Sequence, residues 1–221
     1  MAFFINQIMK FINDGIEEYS TKFTSSESDL LKSLNRDTFV KTINPRMLSG
    51  HMQGRFLSMI SKMLSPKTIL EIGTFTGYSA LCLAEGLKKN GTIHTIDISE
   101  ESAYFAKKYF AKSIYKKKII QHIGNAIDII PKIDNNIDLA FIDADKENYS
   151  KYYHLIFKKL KIGGYIIADN VLWSGKVLDK NQDKETIALS EYNQLIHNDK
   201  KVENILLPIR DGLMICKKIS E

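Results

Sequence analysis

The stretch FIDADK, residues 141–146, determines how we interpret the rest of the sequence. It follows Leu139 and Ala140, so an apolar run ends in two carboxylates and a lysine. Such a run is typical of a buried parallel strand whose carboxyl end opens into a site. A second run, YIIADN at 165–170, ends in the same way. Two neighbouring strands would therefore bring polar side chains to one edge of a sheet.

The side chains that follow these two strands are oxygen donors. Asp143 follows the first strand, and Asp169 and Asn170 follow the second. Carboxylate and amide oxygens suit Mg²⁺, Ca²⁺ or Mn²⁺ better than Zn²⁺. The alternative is that each acid only caps the next helix. Three donors at two strand ends, with Lys146 adjacent, favour a divalent-cation site.

From residue 67 onward, strand-like and helix-like patterns alternate, which predicts an α/β fold with helices on both faces of a parallel sheet. Only residues 208–212 separate the last two strands, too few for a crossover helix, so these strands should pair antiparallel. We predict a Rossmann-like, doubly wound, seven-stranded and mostly parallel sheet with an antiparallel last strand. The strands are predicted at 68–72, 92–98, 118–123, 137–142, 165–168, 202–207 and 213–217, and the helices at 78–89, 100–113, 126–130, 148–160 and 184–198.

The segment that precedes the first strand has a helical pattern. Phe4, Ile8, Phe11, Ile12 and Ile16 recur at helical spacing, which indicates an apolar face for the core or for a partner subunit. We expect a single domain over 1–221, with a helical cap at 1–66 and the core at 67–221. The apolar faces of the cap suggest a homodimer.

Composition places the chain among ordinary globular proteins. It has 221 residues, of which 44% are hydrophobic and 26% charged, with a net charge of +5. Cys82 and Cys216 lie in apolar patterns and have no zinc spacing, as expected of reduced core residues in a cytoplasmic protein. The first twelve residues lack the basic start and cleavage site of a signal peptide, and no run of 18 apolar residues predicts a membrane span.

A glycine loop follows the first strand in the segment EIGTFTGYS, residues 71–79. Gly73 allows a tight turn, and Gly77 lets the backbone approach a ligand closely. The spacing differs from the dinucleotide pattern G-x-G-x-x-G, which argues against an NAD-dependent oxidoreductase. Glu71 precedes the first glycine and would suit a positively charged ligand better than a pyrophosphate.

Asp97 ends the second predicted strand, 20 residues after Gly77. An acid at this place commonly binds the hydroxyl groups of a ribose. A ribose with a nearby cation and no phosphate describes S-adenosylmethionine better than NAD. The alternatives are a helix cap for Asp97 and a solvated acid for Glu71.

Five motifs in order resemble the cation-dependent class I O-methyltransferases, the family that contains the caffeoyl-coenzyme A and catechol O-methyltransferases. They are EIGTFTGYS at 71–79, DIS at 97–99, GNA at 124–126, FIDADKENY at 141–149 and ADNVLWSGKV at 168–177. The resemblance covers about residues 45–218. One departure is Asn125, which stands where many relatives have Asp, and implies altered binding of the adenine. The chain also lacks the N-terminal and insertion pattern of the plant enzymes.

The resemblance implies a role for each candidate residue. The divalent cation, most simply Mg²⁺, would be held by Asp143, Asp169 and Asn170. Lys146 would be the general base, and Trp173 would form a wall of the substrate pocket. The S-adenosylmethionine site would be lined by Glu71, Gly73, Ser79, Asp97, Ala126, Asp143 and Asp145, with Met47 and Ser49 closing it from the cap.

These roles predict a cation-dependent transfer of a methyl group from S-adenosylmethionine to a hydroxyl group of a catechol-like small molecule. A cation lowers the pKa of a phenol and fixes its oxygen, and Lys146 would take the proton. The alternative for Lys146 is an ion pair with Asp143 or Asp145. Residues 178–184 could form a lid over the site.

Two other functions fit the same fold. The first is methylation of a hydroxylated uridine in tRNA, which lysine runs would support. These are Lys107, Lys108, Lys112, Lys116, Lys117, Lys118, Lys158, Lys159 and Lys161. Such runs are usually solvated helix faces. The second is a module that binds the cofactor without catalysis, which the set of Asp143, Lys146, Asp169 and Asn170 argues against.

Overall fold

The computed structural model describes residues 12–134 and 136–221, and a seven-stranded sheet forms its centre. The strands are β1 Thr68–Ile72, β2 Thr92–Asp97, β3 Ile119–Ile123, β4 Ile137–Ile142, β5 Leu160–Ala168, β6 Val202–Leu207 and β7 Leu213–Lys218. Their spatial order is β3-β2-β1-β4-β5-β7-β6. Strands β1 to β5 pair in parallel, and β7 pairs antiparallel with both β5 and β6. The predicted sheet is confirmed.

Helices flank the sheet and also precede it. They are α1 Asp14–Lys22, α2 Asp29–Lys41, α3 Gly50–Leu64, α4 Tyr78–Ala84, α5 Glu100–Lys112, α6 Ala126–Ile129, α7 Tyr149–Phe157 and α8 Lys184–Asn198. Polar residues start several of them, since their side chains satisfy free N–H groups of the first turn. Asp183 accepts from Thr186 N at 2.8 Å before α8, and Ser99 accepts from Ser102 N at 3.2 Å before α5.

Three predicted boundaries are wrong by more than one residue. The helix predicted at 78–89 ends at Ala84, since Gly86 lies so close to α3 that a Cβ there would be 2.1 Å from the backbone of Ser61. The strand predicted at 165–168 already begins at Leu160, which pairs with Ile137 before a shift of register. The helix predicted at 148–160 therefore ends earlier, at Phe157.

Apolar residues of the central strands are buried on both faces of the sheet. In β4, Leu139 and Phe141 pack with the cluster that contains α4 and the cap residues, whereas Ala140 and Ile142 pack with the cluster of α7 and α8. This explains why the strands appear in the sequence as continuous apolar runs. Helices α2 and α3 contribute to the first cluster through Leu31, Leu34 and Leu57.

Helix α1 buries none of its residues. Ile16, Tyr19 and Phe23 recur at helical spacing and expose 60%, 66% and 69% of their surface. Phe4, Ile8 and Phe11, which belong to the same predicted pattern, lie outside the described residues. Across the described part of the chain, we find no helix with the length and apolarity needed to span a membrane.

The order of the strands places a crevice beside β1. The chain continues from β1 to β2 on one side, and β4 lies on the other side. Ligands of open α/β sheets bind where the order reverses in this way, outside the carboxyl ends of the strands. Gly73, Asp97, Asp143 and Asp169 occupy or follow the carboxyl ends of β1, β2, β4 and β5, and thus surround this crevice.

Candidate active site

A cavity of about 1240 Å³ lies at the carboxyl ends of the parallel strands. The cap closes one side of it with the segment before α3. The cavity wall includes every predicted site residue except Glu71, namely Met47, Ser49, Gly73, Ser79, Asp97, Ala126, Asp143, Asp145, Lys146, Asp169, Asn170 and Trp173. The fold therefore gathers residues that are far apart in the sequence.

The glycine loop needs both of its glycines. Gly73 has φ +101°, and a Cβ at this position would be 1.8 Å from the carbonyl oxygen of Asp143. Gly77 has φ +90°, and its Cβ would be 2.6 Å from the ring of Phe110. A side chain at either place would meet both backbone strain and a clash. The loop can therefore run close to β4 and leave its backbone open to the cavity.

Asp97 is held by the backbone of two loops. Its carboxylate accepts hydrogen bonds from Phe75 N at 2.7 Å and from Ser99 N at 2.9 Å. The cap of α5 is Ser99, so Asp97 does not have the alternative role of a helix cap. The carboxylate lies in the cavity wall against the glycine loop, where it can also accept from ligand hydroxyl groups.

Glu71 lies behind the cavity wall. It is fully buried, and its Oε2 accepts from the hydroxyl group of Thr95 at 2.5 Å. Burial raises the pKa of Glu71 to about 8, against hydrogen bonds from Thr95 and Ser79 that lower it. Its Oε1 has no hydrogen-bond partner within the described part of the chain. Ser79, which forms a hydrogen bond with Glu71, lines the cavity and connects this buried carboxyl group to it.

Lys146 is the centre of the polar group at the end of β4. The lysine is only 7% exposed, and its Nζ donates to Asp143 Oδ1 at 3.2 Å and to Asn170 Oδ1 at 2.8 Å. It also donates to the hydroxyl oxygen of Tyr149 at 2.8 Å. The alternative that pairs Lys146 with Asp143 is therefore observed. Asp145 instead accepts from the hydroxyl group of Tyr152 at 2.5 Å.

Asp169 is buried next to a second carboxylate. Burial raises its pKa, and repulsion from Asp143 raises it further. Its Oδ2 accepts from Gln53 Nε2 of α3 at 2.5 Å, and its Oδ1 accepts from Asn170 N at 2.7 Å. An anion in this position needs positive charge, because carboxylates that share a buried site cannot both ionise freely.

Asn170 has φ +59°, a left-handed conformation that asparagine tolerates better than most residues. Its side-chain oxygen faces Lys146, and its side chain forms a hydrogen bond with Asp211, which burial leaves with a raised pKa. Asp211 also accepts a short hydrogen bond from Ser174 N. The orientation of the Asn170 amide is thus fixed from two sides.

Trp173 lies over the same polar group. Lys146 Nζ is 5.4 Å from the centre of its ring, within the range of a cation–π contact. Trp173 has φ +47°, and its Nε1 is buried without a hydrogen-bond partner in the described residues. An acceptor atom of a ligand could satisfy this N–H group, as the predicted substrate role requires.

Asn125 and the cap residues complete the wall. Asn125 caps α6 by accepting from Ile127 N at 2.9 Å, so its amide nitrogen stays available to the cavity that it lines. Ser49 is 7% exposed, whereas Met47 is 59% exposed. The carbonyl oxygen of Leu48 between them accepts from Arg210 at 3.2 Å.

Four contributors to the site were missed in the sequence: Gln53, Tyr149, Arg210 and Asp211. Tyr149 could have been found, since it stands three residues after Lys146 and thus shares a helix face with it. Its hydroxyl group donates to the carbonyl oxygen of Asp169 at 2.9 Å. Gln53 gave no such signal, because α3 contains several other polar residues.

The chain is similar to O-methyltransferases in sequence and structure. Residues 18–219 match the family described as O-methyltransferase. The chain belongs to the O-methyltransferase family. The "Probable caffeoyl-CoA O-methyltransferase 2" of Dictyostelium discoideum is 34% identical over 94% of this chain and 93% of its own length. The caffeoyl-CoA O-methyltransferase of Mesembryanthemum crystallinum is 32% identical over 94% and 87%.

A solved structure agrees with this O-methyltransferase assignment. The O-methyltransferase from Bacillus cereus, in complex with SAH, has a TM-score of 0.86 and 26% identity over 92% of this chain and 97% of its own. The predicted resemblance, the Rossmann-like fold and the enzyme class, a methyltransferase that acts on oxygen, are confirmed. These relatives give no support to the alternative of tRNA methylation.

The three metal donors predicted for this O-methyltransferase are not all acidic residues. Within residues 12–134 and 136–221, no three His, Cys, Asp or Glu side chains come together as a set that could hold a metal ion. The predicted donors are two carboxylates, of Asp143 and Asp169, and the amide of Asn170. The cation therefore belongs with the proposals below.

Proposed function

We propose that this enzyme transfers a methyl group from S-adenosylmethionine to a phenolic hydroxyl group of a catechol-like small molecule, and that a divalent cation is required. The observation that carries the proposal is the juxtaposition of two sets of residues in one cavity. Gly73 and Asp97 lie in one part of its wall, and Asp143, Asp169 and Asn170 lie in another. A donor and an acceptor could bind side by side there.

The first part of the cavity suits the methyl donor. Its loop backbone is kept open by Gly73, and Asp97 can accept from the hydroxyl groups of a ribose. Asp143 and Asp145 add negative charge near the place of a sulfonium. The SAH complex of the Bacillus cereus relative supports this assignment. S-adenosylmethionine supplies an electrophilic methyl group, and the cavity contributes its orientation.

The residues present fit a divalent cation. Oxygen atoms of Asp143 and Asn170 both face the Nζ atom of Lys146, so they are already directed at a positive charge. Burial and repulsion from Asp143 raise the pKa of Asp169, and a cation would relieve both costs. Hard oxygen donors of this kind suit Mg²⁺, Mn²⁺ or Ca²⁺. The chemistry that such a cation supplies is a lower pKa for a catechol hydroxyl group.

Lys146 is the group of this chain that would accept the phenolic proton, at its Nζ. The hydroxyl oxygen of Tyr149 accepts a hydrogen bond from Nζ of the lysine, and the ring of Trp173 packs over the same Nζ atom. The lysine is therefore nearly excluded from water. Exclusion of water favours the transfer, because the charges of a phenolate and a sulfonium disappear together.

The decisive experiment follows methylated product by mass spectrometry. The enzyme is incubated with S-adenosylmethionine and either 3,4-dihydroxybenzoate or caffeate, with Mg²⁺ or with EDTA. Asp169→Ala is measured beside the wild type, and Asp29→Ala, an exposed residue of α2, is the matched control. We expect product that requires both the metal and Asp169.

Each outcome of this experiment has a distinct meaning. Product that is indifferent to EDTA would contradict the requirement for a cation. No product, with S-adenosylmethionine still bound in calorimetry, would contradict the catechol acceptor. Caffeoyl-CoA is tested as a third acceptor in the same experiment. The Dictyostelium relative and the plant relative described above both carry this compound in their names.

Assembly and location are proposed on separate grounds. A homodimer is supported by the exposed apolar residues Ile16 and Tyr19 of α1 and Phe23 directly after it, and light scattering of the purified protein tests it. A cytoplasmic location is supported by two free, buried cysteines, Cys82 and Cys216. Fractionation of the source cells with an antibody to the protein tests the location.

A further inference from the structure

Arg210 occupies an unusual position for an arginine. It lies in the short connection between β6 and β7, where its φ is +51°. A residue with a side chain costs about 1–2 kcal/mol more than glycine in this left-handed region. Its side chain forms part of the wall of the catalytic cavity. The chain thus carries a strained residue that presents a cation to the site.

The guanidinium group of Arg210, an exposed residue, uses only some of its donors within the described part of the protein. Nη1 and Nη2 both donate to the carbonyl oxygen of Leu48 at 3.2 Å. An arginine has five N–H donors, so three remain after these two hydrogen bonds. No carboxylate within residues 12–134 and 136–221 lies at ion-pair distance from it. By contrast, Lys41 in the same wall is paired with Asp37 at 2.6 Å.

The position of this charge relates it to the acceptor part of the cavity. The positive charge of Arg210 acts on Asp169, which is one of the proposed cation donors, and on Asp211, which contacts the donor Asn170. An anionic group on the acceptor could therefore contact Arg210 while the rest of the acceptor lies near Asp169. A guanidinium group recognises a carboxylate through two parallel hydrogen bonds.

A purely structural role would also use the contact with Leu48. The guanidinium group holds the segment before α3, and a Cβ on Gly50 would be 3.6 Å from Nη1. This segment carries Met47 and Ser49, which also line the cavity. Loss of such a clamp would weaken all acceptors alike, whereas loss of a charge contact would weaken only the acidic ones.

We propose that Arg210 is a specificity-determining residue that binds the carboxylate of an acidic catechol. The inference rests on the proposed function, since it assigns the substrate class of the same site. The neutral glutamine in Arg210→Gln keeps a hydrogen-bond donor for Leu48 but removes the charge. Arg36→Gln, at an exposed position of α2 outside the cavity, makes the same change of charge and is the matched control.

The test compares kcat/KM for an acid and for its neutral ester. The acceptors are 3,4-dihydroxybenzoate with its methyl ester, caffeate with its methyl ester, and caffeoyl-CoA, with saturating S-adenosylmethionine and Mg²⁺. The acid-to-ester ratio is compared between variants, so that the effect of the ester on the ring cancels. We expect Arg210→Gln to lower this ratio at least tenfold for one pair, through KM, while ester turnover stays within about twofold. Arg210→Lys should restore part of the ratio, and Arg36→Gln should leave it unchanged.

Three results would overturn the proposal. An equal loss for acid and ester in Arg210→Gln would make the residue a clamp of the cap segment. An unchanged acid-to-ester ratio in Arg210→Gln would show that Arg210 does not recognise the acceptor. An effect confined to caffeoyl-CoA would assign Arg210 to phosphate groups instead of a carboxylate. Failure of the wild type to methylate any of these catechols would contradict the proposed function itself, and the specificity with it.

Discussion

The Nζ atom of Lys146 lies 2.8 Å from Oδ1 of Asn170, although the two residues belong to different strand ends. This hydrogen bond joins the loop after β4 to the loop after β5. Tyr149 accepts from the same Nζ and donates to the carbonyl oxygen of Asp169, which closes a ring of contacts. The proposed base and the proposed cation donors therefore form one connected unit.

Lys146→Met should lower kcat by about 10²–10⁴-fold, the range for loss of a positioned acid or base. The affinity for S-adenosylmethionine should change little, because Asp143 is the one residue assigned to that site for which a contact with the lysine is found in the described part of the chain. Single-turnover methylation and calorimetry separate the two effects. Lys132→Met, an exposed lysine after α6, is the control. If Lys146→Met retained kcat within about threefold, the lysine would not be the general base, and its role would be the ion pair with Asp143.

Gln53→Leu should weaken the cation site without changing its donors. The glutamine donates to Asp169 Oδ2 at 2.5 Å, and partners of this kind typically affect metal affinity by about 10–100-fold when they are lost. We expect a rise of about this size in the Mg²⁺ concentration for half-maximal activity. The maximal rate at saturating Mg²⁺ and the affinity for S-adenosylmethionine serve as internal controls. An unchanged Mg²⁺ dependence would contradict the role of Gln53.

Gly73→Ala should destabilise the protein by more than about 3 kcal/mol, since strain adds to a backbone clash. The added Cβ would be 1.8 Å from the carbonyl oxygen of Asp143, at φ +101°. Gly163→Ala is a matched control, because Gly163 has φ +83° but no atom within 4 Å of its Cβ. Strain alone should cost this control about 1 kcal/mol. Urea unfolding measures the free energy of unfolding of both variants. Equal losses of stability would show that the close approach of the glycine loop to the end of β4 does not contribute to stability.

The parts of the fold that local sequence determines were predicted well. Strand β4 could be placed because both of its faces are buried, which leaves an uninterrupted apolar run up to Asp143. The start of β5 could not be placed, since Gly163 and Gly164 interrupt its apolar pattern. The end of α4 depends on the contact of Gly86 with Ser61 in another helix, and no local pattern records such a contact.

The site likewise combines residues that local sequence places with residues that depend on contacts between distant segments. Asp143, Asp169 and Asn170 were predicted to come together because each follows a strand, and parallel strands end at one edge. Gln53 stands 116 residues from the carboxylate that it contacts, and Arg210 stands 162 residues from Leu48. Their contributions depend on how the cap and the last connection pack on the sheet. The sequence pattern gives no information on that packing.

Glu85 should make the protein sensitive to acid. It accepts from both Nη atoms of Arg55, at 3.0 Å and 2.7 Å, and from the hydroxyl group of Ser58 at 2.6 Å. Burial raises the pKa of Glu85, but hydrogen bonds from Arg55, Ser58 and Lys62 outweigh it and lower the pKa to about 2 from an ordinary 4.5. Since the folded pKa is the lower one, this stabilisation is complete above pH 4.5 and is lost as the pH falls towards 2.

Glu85→Gln removes this titration, so its free energy of unfolding should fall less steeply than that of the wild type between pH 4.5 and 2. The difference between the two slopes should amount to about 2–3 kcal/mol over this interval, at about 1.4 kcal/mol for each unit of pKa. Urea unfolding at closely spaced pH values measures it, with Glu191→Gln on the exposed face of α8 as the control. Parallel curves for wild type and Glu85→Gln would mean that the ion pair with Arg55 contributes no acid-sensitive stability, and that the junction of α3 and α4 depends on its apolar contacts alone.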